Sequence, residues 1–236
     1  MMKICFIVAM QAEAQPFIDR FGVSEVPGFF LPLPCKMYQT DIDGNKLYVV
    51  LNGQQQGSDL VGCEAASVAT MAAIQQLRPD LVINSGTCGA FKKNGASIGD
   101  VYISNGVMFH DRRVPGDDAW GTQSLGNYPI FDRAAEIANA IGFKMGKVTT
   151  GSSLDMQPCD LQIIEENHGE LKDMEGAAVA FVCSLFKTPI MLIKSVTDLC
   201  DESAETFEIF KKNLAMASHA IADANEKVIN YLLKKS

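Results

Sequence analysis

The chain is poor in the residues that would mark several protein classes. Its 236 residues include one tryptophan and three histidines, and its seven cysteines (5, 35, 63, 88, 159, 183 and 200) form no C-x-x-C pair. An odd, scattered set, several within apolar runs where cysteine acts as a small hydrophobe, argues against a disulfide framework and for a reducing compartment. His110, His168 and His219 share no ligand spacing, so no metal site is expected. No Lys/Arg cluster exceeds a pair and the net charge is −8, which argues against a nucleic-acid surface. No apolar run approaches bilayer length, and Ile4–Met10 is too short for a signal-peptide core, so a cytoplasmic protein that does not enter a membrane is expected. Ser85-Gly-Thr-Cys-Gly89 is not G-x-G-x-x-G, and no helix pattern opens directly after it, which argues against a dinucleotide cofactor. There is no repeat, low-complexity tract or linker; residues 1–236 read as a single domain.

What is present suits a buried α/β core, with 47% hydrophobic and 20% charged residues. Lys3–Met10 is a continuous apolar run, the mark of a strand covered on both faces. Gln11 opens a helix in which Pro16 is tolerable only in the first turn, so Glu13 sits at a strand-to-helix corner. Val26–Pro34, with three prolines and two exposed-looking phenylalanines, reads as a loop. Asp43-Gly44 predicts a hairpin turn between Met37–Ile42 and Lys46–Leu51. Ser58 is a candidate N-cap for a helix ending at Leu77, before Pro79. Leu81–Asn84 reads as a strand, Ser85–Gly89 as a tight turn, and Ile98–Ser104 as a further strand. Phe109 to Pro129 reads as one long irregular stretch, of the kind that serves function or an interface. Asp132–Ile141 is predicted helical and Met145–Thr150 extended, with a strand-end loop at Gly151–Met156. The final helix carries a buried stripe from Phe207 through Phe210, Leu214, Ala217, Ile221, Ala224 and Val228 to Tyr231.

The most informative stretch runs from Lys172 to Asp198. It puts Glu175 just before a small-residue helix and Asp198 just after the apolar strand Ile190–Val196. Two carboxylates at the ends of neighbouring elements can face one cleft and divide acid and electrostatic roles. Each also has a plainer reading, Glu175 as a helix cap and Asp198 as the opening of a loop.

Asp173-Met-Glu-Gly-Ala-Ala-Val-Ala180 and Ser195-Val-Thr-Asp198 resemble the signature segments of the nucleoside phosphorylase superfamily. Their flanks resemble its 5′-methylthioadenosine/S-adenosylhomocysteine nucleosidases, on the plant-type branch, over about Lys3 to Leu233. The resemblance implies a three-layer α/β/α fold with a central mixed, twisted sheet, and hydrolysis of the N-glycosidic bond of 5′-methylthioadenosine, with S-adenosylhomocysteine left open as a second substrate, in methionine and adenine salvage. It implies a nucleoside and water as reactants, no cofactor, and a homodimer in which the Val114 loop reaches the neighbouring site. Through Ala9-Met10-x-x-Glu13 it makes Glu13 the group that activates water. Glu175 would bind the ribose and Asp198 would protonate adenine. Thr87, Cys88 and Gly89 would lie against ribose and base, and Leu154 and Asp155 would stand at the adenine edge. Lys172, Asp173 and Met174 belong to the same binding segment. Met10, Met174, Phe207 and the partner subunit's Val114 would receive the 5′-alkylthio group. The segment after Asp198, Leu199–Ala204, reads as a lid. Lys194 replaces an arginine frequent in bacterial members and is given no role.

Two other readings stay open at this level. A phosphorylase would need arginines around bound phosphate; none lies near Met10–Pro16 or Ser85–Ala90, leaving Arg112 and Arg113. A non-catalytic relative of the storage-protein kind has no need to keep Glu13, Glu175 and Asp198 together.

Overall fold

The computed structural model describes residues 1–114, 119–202 and 206–234. In chain order its strands are β1 (Lys3–Val8), β2 (Ser24–Glu25), β3 (Lys36–Ile42), β4 (Asn45–Leu51), β5 (Gln54–Gln55), β6 (Ser58–Asp59), β7 (Leu81–Ala90), β8 (Val101–Phe109), β9 (Lys144–Thr150), β10 (Leu171–Asp173) and β11 (Ile190–Leu199). Its helices are α1 (Gln11–Phe21), α2 (Cys63–Leu77), α3 (Ala119–Leu125), α4 (Ala134–Ile141), α5 (Pro158–Glu166), α6 (Gly176–Phe186) and α7 (Thr206–Lys234).

Nine strands form one mixed sheet in the order β10-β9-β8-β11-β7-β1-β4-β3-β2. β1, β4, β7 and β11 run parallel, while β8 meets β11 antiparallel. β10 also pairs back on β7, so β7, β11, β8, β9 and β10 close into a ring at one end of the sheet. Both faces are covered. Cys5 and Ile7 of β1 point into a core shared with Ala66, Ala69 and Ala73 of α2 and Ala177–Ala180 of α6. Ile4, Phe6 and Val8 point the other way, onto Phe17 of α1, Ile137 of α4 and Val228 of α7. That two-sided burial explains why β1 is apolar throughout instead of alternating.

The three-layer α/β/α architecture agrees with the resemblance, and so does the hairpin, where Asp43 and Gly44 both take positive φ between paired β3 and β4. Several boundaries differ for physical reasons. Ser85–Gly89 is not a turn: β7 runs through it, because β11 pairs with it from Ser85 to Gly89. Asp198 accordingly lies within β11, just past a bulge between Val196 and Asp198. Ser58 does not cap α2; it pairs with Gln55 in the small β5–β6 hairpin, and Gly62, at φ +94°, precedes the helix. Pro16 sits in the second turn of α1, where the helical carbonyl it leaves unpaired belongs to Ala12, on the exposed face. The strand predicted from Ile98 begins at Val101, and α3 interrupts the stretch read as irregular. Phe30 is fully buried and Phe29 packs edge-on against it, so the proline-rich loop contributes to the core. The stripe on α7 is buried only from Ala217 onward; Phe207 is 54% exposed.

Candidate active site

Beyond the C-terminal ends of β1, β7 and β11 lies a pocket of about 280 Å³. Twelve of the fourteen residues singled out from sequence line it: Met10, Glu13, Thr87, Cys88, Gly89, Leu154, Lys172, Asp173, Met174, Glu175, Asp198 and Phe207. Val114 and Asp155 do not. Val114 is 42% exposed, and Asp155, also exposed, accepts a hydrogen bond from Gln157 Nε2 at 2.9 Å. The lining residues that sequence reasoning missed are Ala9, Val61, Thr197, Cys200 and Phe210. Phe210 belongs to the apolar stripe of the last helix, and its spacing from Phe207 is the available signal. Ser203 and Ala204 of the proposed lid fall outside the described residues.

Each carboxylate reaches the pocket by a different local device. Glu13 occupies the first turn of α1 and is 4% exposed. Its Oε1 accepts from the backbone N–H and the hydroxyl of Thr87, both at 2.7 Å, and its Oε2 accepts from the Met10 N–H at 3.3 Å. Burial pushes its pKa up, and those hydrogen bonds together with the Lys194 ammonium pull it back. A Cβ at Gly86 would stand 3.1 Å from Oε1, so the glycine makes room for the carboxylate.

Glu175 stands at the N-cap of α6, as the segment predicted, but its side chain leaves that helix. Its Oε1 accepts from Gly62 N–H at the N-terminus of α2, at 2.7 Å. Asp173 does the capping instead: its Oδ2 accepts from Gly176 N–H at 2.9 Å. The plain reading of Glu175 as a cap therefore belongs to its neighbour two positions earlier. Burial, then the charge of Asp173, push the Glu175 carboxyl up to about 7.

Asp198 is 5% exposed. Thr197 Oγ1 donates to its Oδ1 at 2.8 Å, and its Oδ2 faces Cys200 Sγ at 4.0 Å. Burial raises its pKa against the opposing pull of the Thr197 hydroxyl and the Lys172 ammonium. A side chain at Gly89 would collide here, since its Cβ would lie 2.6 Å from Cys200 Sγ and 2.8 Å from Asp198 Oδ2.

The remaining polar groups act as supports. Lys172 donates to the carbonyls of Ser153 and Leu154 at 2.7 and 2.9 Å, fixing the loop that brings Leu154 to the pocket. Asp173 Oδ1 accepts from Thr150 Oγ1 at 2.5 Å, and Thr150 Oγ1 accepts from Ala177 N–H at 2.8 Å. Lys194, 1% exposed, lies beneath the pocket with its Nζ 2.7 Å from Asp173 Oδ2. An ammonium inside an apolar strand run was the sequence signal for it. Arg112 and Arg113 are engaged elsewhere: Arg112 stacks 4.4 Å over Phe109, and Arg113 Nη1 meets Asp160 Oδ1 at 2.6 Å. Neither lines the pocket. Among the described residues no group of three His, Cys, Asp or Glu is placed to hold a metal ion.

The pocket sets four carboxylates, three of them buried, and the strongly held Lys172 among apolar walls, which suits a neutral, hydroxyl-bearing ligand. Residues 3–230 match the model of the phosphorylase superfamily. The 5′-methylthioadenosine nucleosidase of Arabidopsis thaliana is 42% identical, over 98% of this chain and 87% of that protein. A 5′-methylthioadenosine/S-adenosylhomocysteine nucleosidase from the same plant is 39% identical over 98% of this chain and 92% of its own length. The solved apo structure of Arabidopsis thaliana 5′-methylthioadenosine nucleosidase superposes with a TM-score of 0.94 at 40% identity, covering 98% of this chain and 95% of that one. The chain belongs to the phosphorylase superfamily and, within it, to the plant-type 5′-methylthioadenosine nucleosidases.

Proposed function

We propose that this protein hydrolyses the N-glycosidic bond of 5′-methylthioadenosine, releasing adenine and 5-methylthioribose. The observation that carries the reading is the convergence of Glu13, Glu175 and Asp198, from α1, the β10–α6 junction and β11, on one pocket. It joins to the names of relatives 42% and 39% identical over nearly the whole chain.

The chemistry follows from what each carboxylate is positioned to give. Adenine leaves poorly as an anion, so N7 must gain a proton as the bond breaks. Asp198, pushed toward its protonated form by burial, is the donor. The ribose passes through an oxocarbenium-like state. Glu175 accepts hydrogen bonds from the ribose hydroxyls and sets negative charge beside that cation. Glu13, held by Thr87 on Oε1, offers Oε2, which also accepts from the Met10 N–H at 3.3 Å, to the attacking water and takes its proton. Met10, Met174 and Phe207 supply an apolar berth for the 5′-thioether. Acid–base assistance of this kind is worth ~10²–10⁴-fold per group.

The same reading makes the protein a cytoplasmic homodimer of methionine salvage. Val114, exposed in the single chain, would complete the 5′ end of the neighbour's pocket. Among the described residues no helix is long and apolar enough to cross a membrane. Equilibrium sedimentation tests the dimer; a monomer at micromolar concentration removes that part.

Water rather than phosphate as nucleophile fits a pocket whose lining, among the described residues, includes no arginine and whose Glu13 would repel an anion. Adenine release from 5′-methylthioadenosine, measured with and without phosphate, tests the proposal. Free methylthioribose in both cases is the expected product. Methylthioribose 1-phosphate formed only when phosphate is added would overturn the hydrolase reading. Running S-adenosylhomocysteine alongside shows whether the longer tail is also accepted.

A further inference from the structure

Lys194 lies at the centre of β11 with its ammonium shut away from solvent, a costly arrangement unless its charge is used. Asp173 is its direct partner, and that carboxylate is locked: Thr150 Oγ1 and Gly176 N–H hold it at 2.5 and 2.9 Å. The lock ties Lys194 to the start of α6, where Glu175 begins. The field of Lys194 also reaches Glu175 and Glu13. One buried cation thus faces three carboxylates from three separate elements, more negative charge than an ion pair needs.

We propose that Lys194 is a positioning residue for the hydrolysis: held on Asp173, it is the counter-charge that keeps Glu13 and Glu175 together as carboxylates around the ribose. The inference rests on the nucleosidase reading of the pocket and deepens it. Hydrolysis needs Glu13 able to take a proton from water and Glu175 negatively charged beside the sugar. Two neighbouring carboxylates share a proton unless a cation compensates them. Glu175 is faced by Asp173 on β10, Glu13 on α1, Lys194 on β11, and the Gly62 N–H and the Cys63 thiol at the start of α2. The thiol, pushed up to about 12, is neutral throughout the working range. Glu13 is faced by Glu175, Lys194, Thr87 and the Met10 N–H. Lys194 is therefore the cation common to both.

The test is the acid limb of kcat/KM for adenine release, which reports ionisation in the free enzyme. Removing the cation in Lys194→Met makes the carboxylates harder to ionise, and the limb moves up by about one pH unit. Asp173→Asn frees the cation for Glu175 and Glu13, and the limb moves down. Lys194→Arg keeps the charge, and the limb stays in place. Opposite shifts in the first two variants, with the arginine variant unmoved, are the expected result. Active variants whose melting temperature falls while the limb stays put would overturn the proposal, as would shifts in the same direction. Failure of both Lys194→Met and Asp173→Asn to fold would assign the pair to the fold alone, which also overturns it. Wild-type protein that releases no adenine at any pH would instead fail the nucleosidase reading itself.

Discussion

At the floor of the pocket, Glu13, Asp173 and Asp198 are almost wholly buried, and each is tied by a side-chain or backbone hydrogen bond to a strand or helix end. At its mouth, Val61 and Phe207 are 44% and 54% exposed. The floor rests on β7 and β11, paired from Ile190 to Leu199. The mouth is drawn from the start of α7 and the approach to α2. Chemistry that needs reacting atoms held to within fractions of an ångström belongs on the rigid part. Selection among 5′-substituents of different length can be left to the other part. If this division is right, substitutions at the floor alter turnover, and substitutions at the mouth alter which substrate is bound.

The largest effect is expected at Asp198. Asp198→Asn keeps the shape and the Thr197 contact but has no proton to give, so turnover of 5′-methylthioadenosine should fall by ~10²–10⁴-fold with an unchanged circular dichroism spectrum. Turnover within a few-fold of wild type would remove the acid assignment and, with it, the contrast between floor and mouth. Next comes Gly89→Ala, whose new methyl would sit 2.8 Å from Asp198 Oδ2 and 2.6 Å from Cys200 Sγ. Displacing the acid by a fraction of an ångström to an ångström should cost on the order of 10–10²-fold in kcat. Stability should change less than activity does, because the site can yield by moving side chains.

Glu175 sharpens the comparison in another way, since a group placed for catalysis is paid for in stability. Its carboxyl is raised to about 7 from an ordinary 4.5, so the folded state holds the proton more tightly than the unfolded chain. The stability this contributes is full below about pH 4.5 and is lost as pH rises through about 7. At pH 8 the buried negative charge is a burden. Glu175→Gln should therefore stabilise the protein at pH 8 by roughly 1–2 kcal/mol, after allowance for its partial exposure. The gain should shrink toward zero at pH 5, while activity is lost throughout. Urea melts at the two pH values check the sign; a variant less stable at pH 8 would show that the Gly62 contact outweighs the cost of burying the charge.

The floor was far easier to find in the sequence than the mouth, for the same structural reason. Apolar runs such as Ile4–Val8 and Ile190–Val196 announce buried strands, and the acidic residues that follow them mark strand ends. Glu13, Glu175 and Asp198 were therefore legible, first as position and then as chemistry through the family resemblance. Ser85–Gly89 reads as a turn because glycine normally signals one; here it marks where β7 must leave space for Glu13 and Asp198. Lys194 went without a role because its partner, Asp173, is distant in sequence and the two meet only when β10 and β11 are folded. Val61 gives still less sign. A half-exposed apolar residue looks the same in sequence whether it lines a pocket, covers a core or faces water.

The smallest effect, and the one that probes the mouth directly, is expected at Phe207. This ring stands on the first turn of α7, lines the pocket and carries Lys211 Nζ 4.5 Å above it. Because it is more than half exposed, truncating it removes little buried surface, and Phe207→Ala should leave the fold and the melting temperature almost untouched. It should raise KM for 5′-methylthioadenosine by about three- to tenfold, the scale of a partly buried apolar contact, with kcat nearly constant. Binding lost equally from ground and transition states gives that pattern. The loss should be smaller for an analogue that lacks the 5′-methylthio group, since that substrate never uses the contact. A fall in kcat equal to the fall in kcat/KM would instead mean that Phe207 acts on the reacting centre. The boundary between a rigid chemical floor and a permissive mouth would then have to be drawn further out along α7.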